Sequence, residues 1–110
     1  MTIQVFLLVL ASTVLGAVGQ VLFKLGATGR HAATEFLNPW IFAGMLAYAL
    51  GTLLWIYSLS KARLTLIYPF TALTFVLVFV FGVLVLHEPT GVRPLLGLAM
   101  VLGGLFLIST

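Results

Sequence analysis

Side chains able to do chemistry are scarce in this sequence, and their spacing constrains what they can do. The charged residues are Lys24, Arg30, Glu35, Lys61, Arg63, Glu88 and Arg93, joined by His31 and His87, and cysteine is absent. General acid–base work, nucleophilic catalysis and metal binding each need several such groups converging on one atom. Here the two histidines stand in different loops and the two carboxylates are far apart along the chain. The reading is therefore no enzyme, no catalytic residue, no metal and no cofactor, and the scattered basic residues make no patch for nucleic acid. Recognition remains. Gln20 and Lys24 lie one helical turn apart, with Lys24 placed where an apolar stretch ends. An amide in lipid needs hydrogen-bonding partners and turns toward the protein interior, and a cation beside an apolar groove can hold a lipid phosphate while the tail stays in the membrane. Tyr48 and Trp55 share a helical face with Gly44, Gly51 and Ser58. Such a face can take an acyl or prenyl tail, or stack on a cation; Trp55 with Tyr57 suits an interfacial aromatic belt equally well.

The elements that position these groups follow from the charge map. The chain has 110 residues, 63% hydrophobic and 6% charged. An ordinary soluble domain carries roughly 25% charged residues, so lipid must replace water as the solvent. Uncharged stretches cover 1–23, 36–60, 64–87 and 94–110. About 20 apolar residues cross a roughly 30 Å hydrocarbon layer as a helix, which satisfies its own backbone hydrogen bonds. The predicted spans are Ile3–Phe23, Pro39–Leu59, Leu66–Leu86 and Pro94–Ser109. The fold class expected is all-α: an integral membrane bundle of four transmembrane helices, one domain over 1–110, assembling as a dimer. The first span lacks the basic leader and short apolar core of a cleaved signal peptide, and is kept as a mature helix.

Within the spans, small residues mark close-packing faces. Ser12, Gly16, Gly19 and Phe23 form a stripe on the first helix, with Gln20 at its edge. The last span carries Gly97, Ala99, Gly103 and Gly104, a small-residue face suited to dimer packing, which also helps a short span tolerate mismatch. Pro69 follows Tyr68 near the start of the third span. It either begins the helix or, beyond the first turn, frees the carbonyl of Thr65 and makes a kink that serves as a gate. Glu88 precedes the fourth helix, where a carboxylate favours the N-terminus. Basic loop residues split as Lys61 and Arg63 against Lys24, Arg30 and Arg93, so the positive-inside signal is nearly balanced. That balance permits an antiparallel dimer, and equally a single orientation set by a partner.

Taken in order, Gly19-Gln20 with Lys24, Ile67-Tyr68-Pro69, His87-Glu88-Pro89 and Gly97 with Gly103-Gly104 resemble the drug/metabolite transporter superfamily, in particular its four-helix, EamA-type members. Within it the chain is most similar to the small subunits proposed to flip aminoarabinose-linked undecaprenyl phosphate in Gram-negative bacteria. The small multidrug resistance proteins share the plan, and there the resemblance implies an antiparallel dimer and alternating access. Their essential first-helix glutamate has no counterpart, for Gly16 stands in its place.

The function expected is that of a bacterial inner-membrane, multi-pass transporter moving a polyprenyl-phosphate-linked aminosugar, or a similar anionic lipid, between leaflets. It would act as a homodimer, or as a heterodimer with a similar four-helix subunit. Gln20 and Lys24 would bind phosphate or sugar, Glu88 the amino group, Tyr48 and Trp55 the apolar part, and Tyr68 with Pro69 would shape the gate. Export of small organic cations or metabolites, and a non-transporting assembly role, are the alternatives.

Overall fold

A computed structural model describes residues 2–109; Met1 and Thr110, the ends of the expected domain, lie outside the described residues. Its described elements are helical: α1 (Ile3–Ala27), a 3-10 turn (Ala33–Phe36), α2 (Pro39–Leu59), α3 (Leu64–Ile67), a 3-10 turn (Tyr68–Phe70), α4 (Thr71–Leu84) and α5 (Val92–Ser109). Ile3–Ala27, Pro39–Leu59 and the composite segment Leu64–Leu84 are long and apolar enough to cross a membrane; Val92–Ile108 is apolar but shorter. Large apolar side chains lie exposed along all of them, among them Leu53 at 63%, Phe75 at 56% and Met100 at 77%. In water such a surface would be untenable, and in lipid it is the solvent-matched one. The chain is an all-α membrane bundle.

Local chemistry sets the helix ends. The Thr2 side chain accepts from the Val5 N–H at 3.3 Å and starts α1. At 25 residues, α1 is about 37 Å long and outreaches the hydrocarbon layer, so Lys24 lies in its last turn, where a cation complements the helix dipole. Thr28 closes it, donating from both N–H and Oγ1 to the Lys24 carbonyl. The connection to α2 is pinned by Asn38. Its Nδ2 donates to the carbonyls of Gly26 and Glu35, each at 3.0 Å, while Oδ1 accepts from Ile41 N–H at 3.2 Å, capping α2 behind Pro39. Arg30 Nε also donates to the Gly26 carbonyl, and Glu35 Oε2 accepts from His31 N–H. Both charges are thus engaged in holding this loop.

The closest packing is between α1 and α2, where Ser12, Gly19 and Gly26 recur every seven positions on α1 and the first two face Gly51 and Gly44, seven apart on α2, while Gly26 meets the capping Asn38. A Cβ added at Gly19 would lie 3.1 Å from the Gly44 carbonyl oxygen, and one at Gly51 would lie 3.1 Å from that of Ser12. A seven-residue repeat on antiparallel helices is the signature of a shallow left-handed crossing. The buried Ser12 Oγ donates to the Gly51 carbonyl at 2.7 Å across this contact. Between lipid-solvated helices, such packing and hydrogen bonding replace the hydrophobic effect as the cohesive force.

The third segment changes its winding partway along. Pro69 lies past the first helical turn, and the helix narrows to a 3-10 turn over Tyr68–Phe70 before resuming at Thr71. Of the two sequence readings, Pro69 therefore interrupts a helix rather than starting one. Ile67 and Phe70, on either side of it, are buried with Val5 and Val9 of α1, and Trp55 and Leu59 of α2 pack against that cluster. The core sits at the end of the bundle where α1 begins. At the opposite end α4 unwinds through a wide turn: Leu86 N–H donates to Phe81 O, Glu88 N–H to Gly82 O, and His87 takes a left-handed φ of 56°. The chain extents are 45 × 35 × 18 Å, so in its thinnest direction the protein is barely two helices deep.

Candidate functional site

Two cavities open on the seam between α1 and the third segment. The first, of about 420 Å³, lies at mid-height. From α1 it takes Ser12, Thr13 and Gly16, from α2 Tyr48, Gly51, Thr52 and Trp55, and from the third segment Tyr68, Thr71 and Thr74. The second, of about 250 Å³, lies toward the end where α1 finishes, lined by Gln20, Val21 and Lys24 of α1, by Val78 and Gly82 of α4, and by Leu86 and Glu88. These two are named the chamber and the mouth below.

Helical spacing explains the alignment. Thr13, Gly16, Gln20 and Lys24 fall on one face of α1, while Thr71, Thr74, Val78 and Gly82 fall on one face of the segment opposite. The cavities are therefore stacked on a single seam, the chamber reaching Gly16 and Thr74 and the mouth beginning one turn further on at Gln20 and Val78.

The mouth is polar. Gln20 and Lys24 are exposed residues that nonetheless line it, and Glu88 reaches it because the His87 turn lays the carboxylate back over α4. Glu88 Oε1 lies 2.8 Å from the point where Gly82 would carry a Cβ, so glycine there makes room for it. A cation, an amide and a carboxylate thus share one small cavity, a donor set able to hold a phosphate beside an ammonium group.

The chamber is different in kind. No charged residue lines it. Tyr48 packs at a tilt against Phe23, ring centroids 6.3 Å and planes 42° apart, while Trp55 is half-buried against the core. A third hollow, of about 730 Å³, lies at the other end of α1 beside Gln4, Tyr57 and Lys61, with Lys61 Nζ 5.5 Å from the Tyr57 ring centroid.

The residues singled out in the sequence are thus divided. Tyr48, Trp55 and Tyr68 meet at the chamber; Gln20, Lys24 and Glu88 meet at the mouth. Pro69 is half-buried in the 3-10 turn next to Tyr68. Gly97, Gly103 and Gly104 line neither cavity, and an added Cβ at any of them would meet no atom within 4 Å. Sequence reasoning did not assign a site role to the chamber hydroxyls of Thr13, Thr52, Thr71 and Thr74. Their signal was present, since Thr52 lies between Tyr48 and Trp55 at helical spacing and Thr71 and Thr74 sit one turn apart. Among the described residues, no group of three or more His, Cys, Asp or Glu could hold a metal ion.

Comparison with known proteins points the same way. Residues 2–110 match the model of the EamA-like transporter family. A protein of Pseudomonas aeruginosa (strain UCBPP-PA14) named "Probable 4-amino-4-deoxy-L-arabinose-phosphoundecaprenol flippase subunit ArnE" is 34% identical, over 93% of this chain and 94% of its own length. The protein of the same name in Pseudomonas fluorescens (strain Pf0-1) is 27% identical over the same shares, and that of Aeromonas salmonicida (strain A449) is 35% identical over 66% of this chain and 65% of its own. No solved structure matches the chain.

Proposed function

Since the chain belongs to the EamA-like transporter family, matching its model from residue 2 to residue 110, we propose that it moves a polyprenyl-phosphate-linked aminosugar between the leaflets of a bacterial inner membrane. The names carried by its relatives support the substrate class. The observation that carries the reading is the mouth: Lys24, Gln20 and Glu88 converge on a small cavity whose other walls, Val21, Val78, Gly82 and Leu86, are apolar. Lys24 and Gln20 hold the phosphate, Glu88 meets the amino group, and the isoprenoid tail remains in the surrounding lipid. Tyr48 and Trp55 line the path, and Tyr68 with Pro69 gates it.

The working unit is a dimer, either of this chain or with a similar four-helix subunit. A protein 18 Å deep leaves its seam uncovered on one side, and the glycine face of α5 is free to pack closely against another helix. Such packing also lets α5, at 18 residues or about 27 Å, complete a fourth crossing despite its shortness. No Asp or Glu occurs within the helices that span or reach into the membrane, so transport is not driven by protons on such a carboxylate. It runs downhill, drawn by consumption of the lipid on the far side.

The aromatic chamber favours a second reading, export of small organic cations. Proteoliposomes offered a labelled isoprenyl-phosphate aminosugar and, separately, a quaternary ammonium dye distinguish them. Flipping of the lipid supports the proposal, and movement of the dye alone refutes it.

A further inference from the structure

The third hollow belongs to neither cavity of the seam. Gln4, Leu7 and Leu8 line it from the start of α1, Tyr57 and Lys61 from the end of α2. At about 100° per residue, Gln4, Leu7 and Leu8 lie nearly opposite the face of α1 that carries Thr13, Gly16, Gln20 and Lys24. On α2, Tyr57 lies nearly opposite Tyr48, Thr52 and Trp55 in the same way. The hollow therefore opens on the back of the α1/α2 pair. Two barriers stand between it and the mouth. One is the close α1/α2 contact at Gly19 and Gly44 and at Ser12 and Gly51. The other is the buried cluster of Val5, Val9, Ile67 and Phe70, which fills the seam at this end of the bundle.

Both helices grade the hollow from polar to apolar in the same sense. α1 begins at this membrane face and α2 ends at it, so Leu7 and Leu8 lie about one turn deeper than Gln4, and Tyr57 about one turn deeper than Lys61. Lys61 bends back over the hollow, its Nζ 5.5 Å from the centroid of the deeper Tyr57 ring, and holds its charge and its donors above the apolar floor. Arg63 stands at the same face, whereas both side-chain carboxylates of the chain, Glu35 and Glu88, lie in loops at the other face. Side-chain charge at this end is thus wholly positive, and a negative headgroup complements it. We infer that the hollow is a binding site for an anionic phospholipid of the surrounding bilayer, its phosphate at Lys61 and the Gln4 amide and an acyl chain along Leu7, Leu8 and the Tyr57 ring. The volume of about 730 Å³ lies within the range of ligand pockets. The transported lipid is not the occupant: the two barriers separate this site from the mouth, and its lining has no carboxylate to select an amino-sugar as Glu88 does. A phospholipid seated here ties the start of α1 to the end of α2 and leaves the seam free.

The test uses the full chain in mild detergent, titrated with dioleoyl phosphatidylglycerol or dioleoyl phosphatidylcholine. Bound lipid is counted by native mass spectrometry, and stability is followed by thermal unfolding. Phosphatidylglycerol should be retained in preference to phosphatidylcholine and should raise the unfolding temperature. Lys61 is exposed, so its replacement leaves the fold intact. Lys61→Gln should weaken phosphatidylglycerol binding about 5-fold, with Lys61→Arg close to wild type. Lys24→Gln, which removes the cation of the mouth, should leave the Lys61-dependent binding unchanged. Farnesyl phosphate bearing 4-amino-4-deoxyarabinose should compete for that binding no better than added phosphatidylglycerol does. Equal retention of the two phospholipids, wild-type retention by Lys61→Gln, or an equal loss on Lys24→Gln would overturn the inference. Stronger competition by the aminosugar lipid would overturn it as well, by making the hollow a site for the transported lipid.

Discussion

Replacing Gly51 by alanine probes the α1/α2 contact on which the walls of the chamber depend. The new methyl would lie 3.1 Å from both Leu15 Cβ and the Ser12 carbonyl oxygen, and 3.4 Å from Gly16 N. Carbon contacts are comfortable at about 3.5–4.0 Å, so α1 and α2 must part by several tenths of an ångström. Two of the three atoms met are backbone and the third is a Cβ, so no flexible side-chain end can yield in their place. Such overpacking costs about 1–3 kcal/mol. Parting also stretches the 2.7 Å bond from Ser12 Oγ to Gly51 O, and an interhelical hydrogen bond in a membrane protein contributes on average ~0.6 and at most ~1.7 kcal/mol. The better helix propensity of alanine returns about 1 kcal/mol. A net destabilisation of roughly 1–3 kcal/mol is therefore expected, measured by reversible unfolding in mixed micelles. Ser12→Ala should cost ~0.6–1.7 kcal/mol alone, and the double variant less than the two together, because Gly51→Ala has already weakened the same bond. A Gly51→Ala protein as stable as the wild type would refute the close α1/α2 crossing and, with it, the walls of the chamber.

Other outcomes follow from the same geometry. Gly97→Ala should leave the stability of the monomer unchanged or raise it by up to about 1 kcal/mol, since the added methyl meets nothing, as the same unfolding assay will report. Gly82→Ala should leave stability unchanged or raise it by up to about 1 kcal/mol, because only the flexible end of Glu88 has to move and alanine favours the helix. It should nevertheless weaken binding of the amino-sugar lipid as Glu88→Gln does, and neither variant should alter binding of its N-acetylated analogue. Collapse of an imposed pH gradient across proteoliposomes should leave the rate of lipid movement unchanged; a rate that followed the gradient would require a titrating group the helices do not offer.

How far the sequence revealed the molecule depends on the kind of interaction concerned. The apolar segments were legible because charges occur only where helices meet water, and Asn38-Pro39 announced the start of α2 through the chemistry of its cap. Half of the α1/α2 contact was also visible, since glycine and serine at helical spacing define a face. Which α2 residue each of them meets is a matter of register, fixed only when both helices pack. The division of the site was not legible. Tyr48, Trp55 and Tyr68 lie with Gln20, Lys24 and Glu88 on a common seam, yet in different cavities, and only the stacking of α1 against the third segment separates them. Glu88 reaches the mouth through the left-handed turn at His87, a conformation that histidine adopts more readily than most residues but too rarely to be read from the sequence. Hydroxyl direction is likewise settled by three-dimensional neighbours, so Thr52 and Thr71 read as ordinary polar positions until their carbonyl partners are known.

The account turns on recognition of a lipid phosphate by the cation that closes α1. Its most direct measurement is the initial rate of flipping of a labelled isoprenyl-phosphate aminosugar in proteoliposomes holding wild-type, Lys24→Arg or Lys24→Gln protein in equal folded amounts. Loss of a charge-assisted hydrogen bond to phosphate should slow Lys24→Gln by about 10-fold or more, with Lys24→Arg retaining most of the rate. Wild-type flipping by the Lys24→Gln protein would contradict the account.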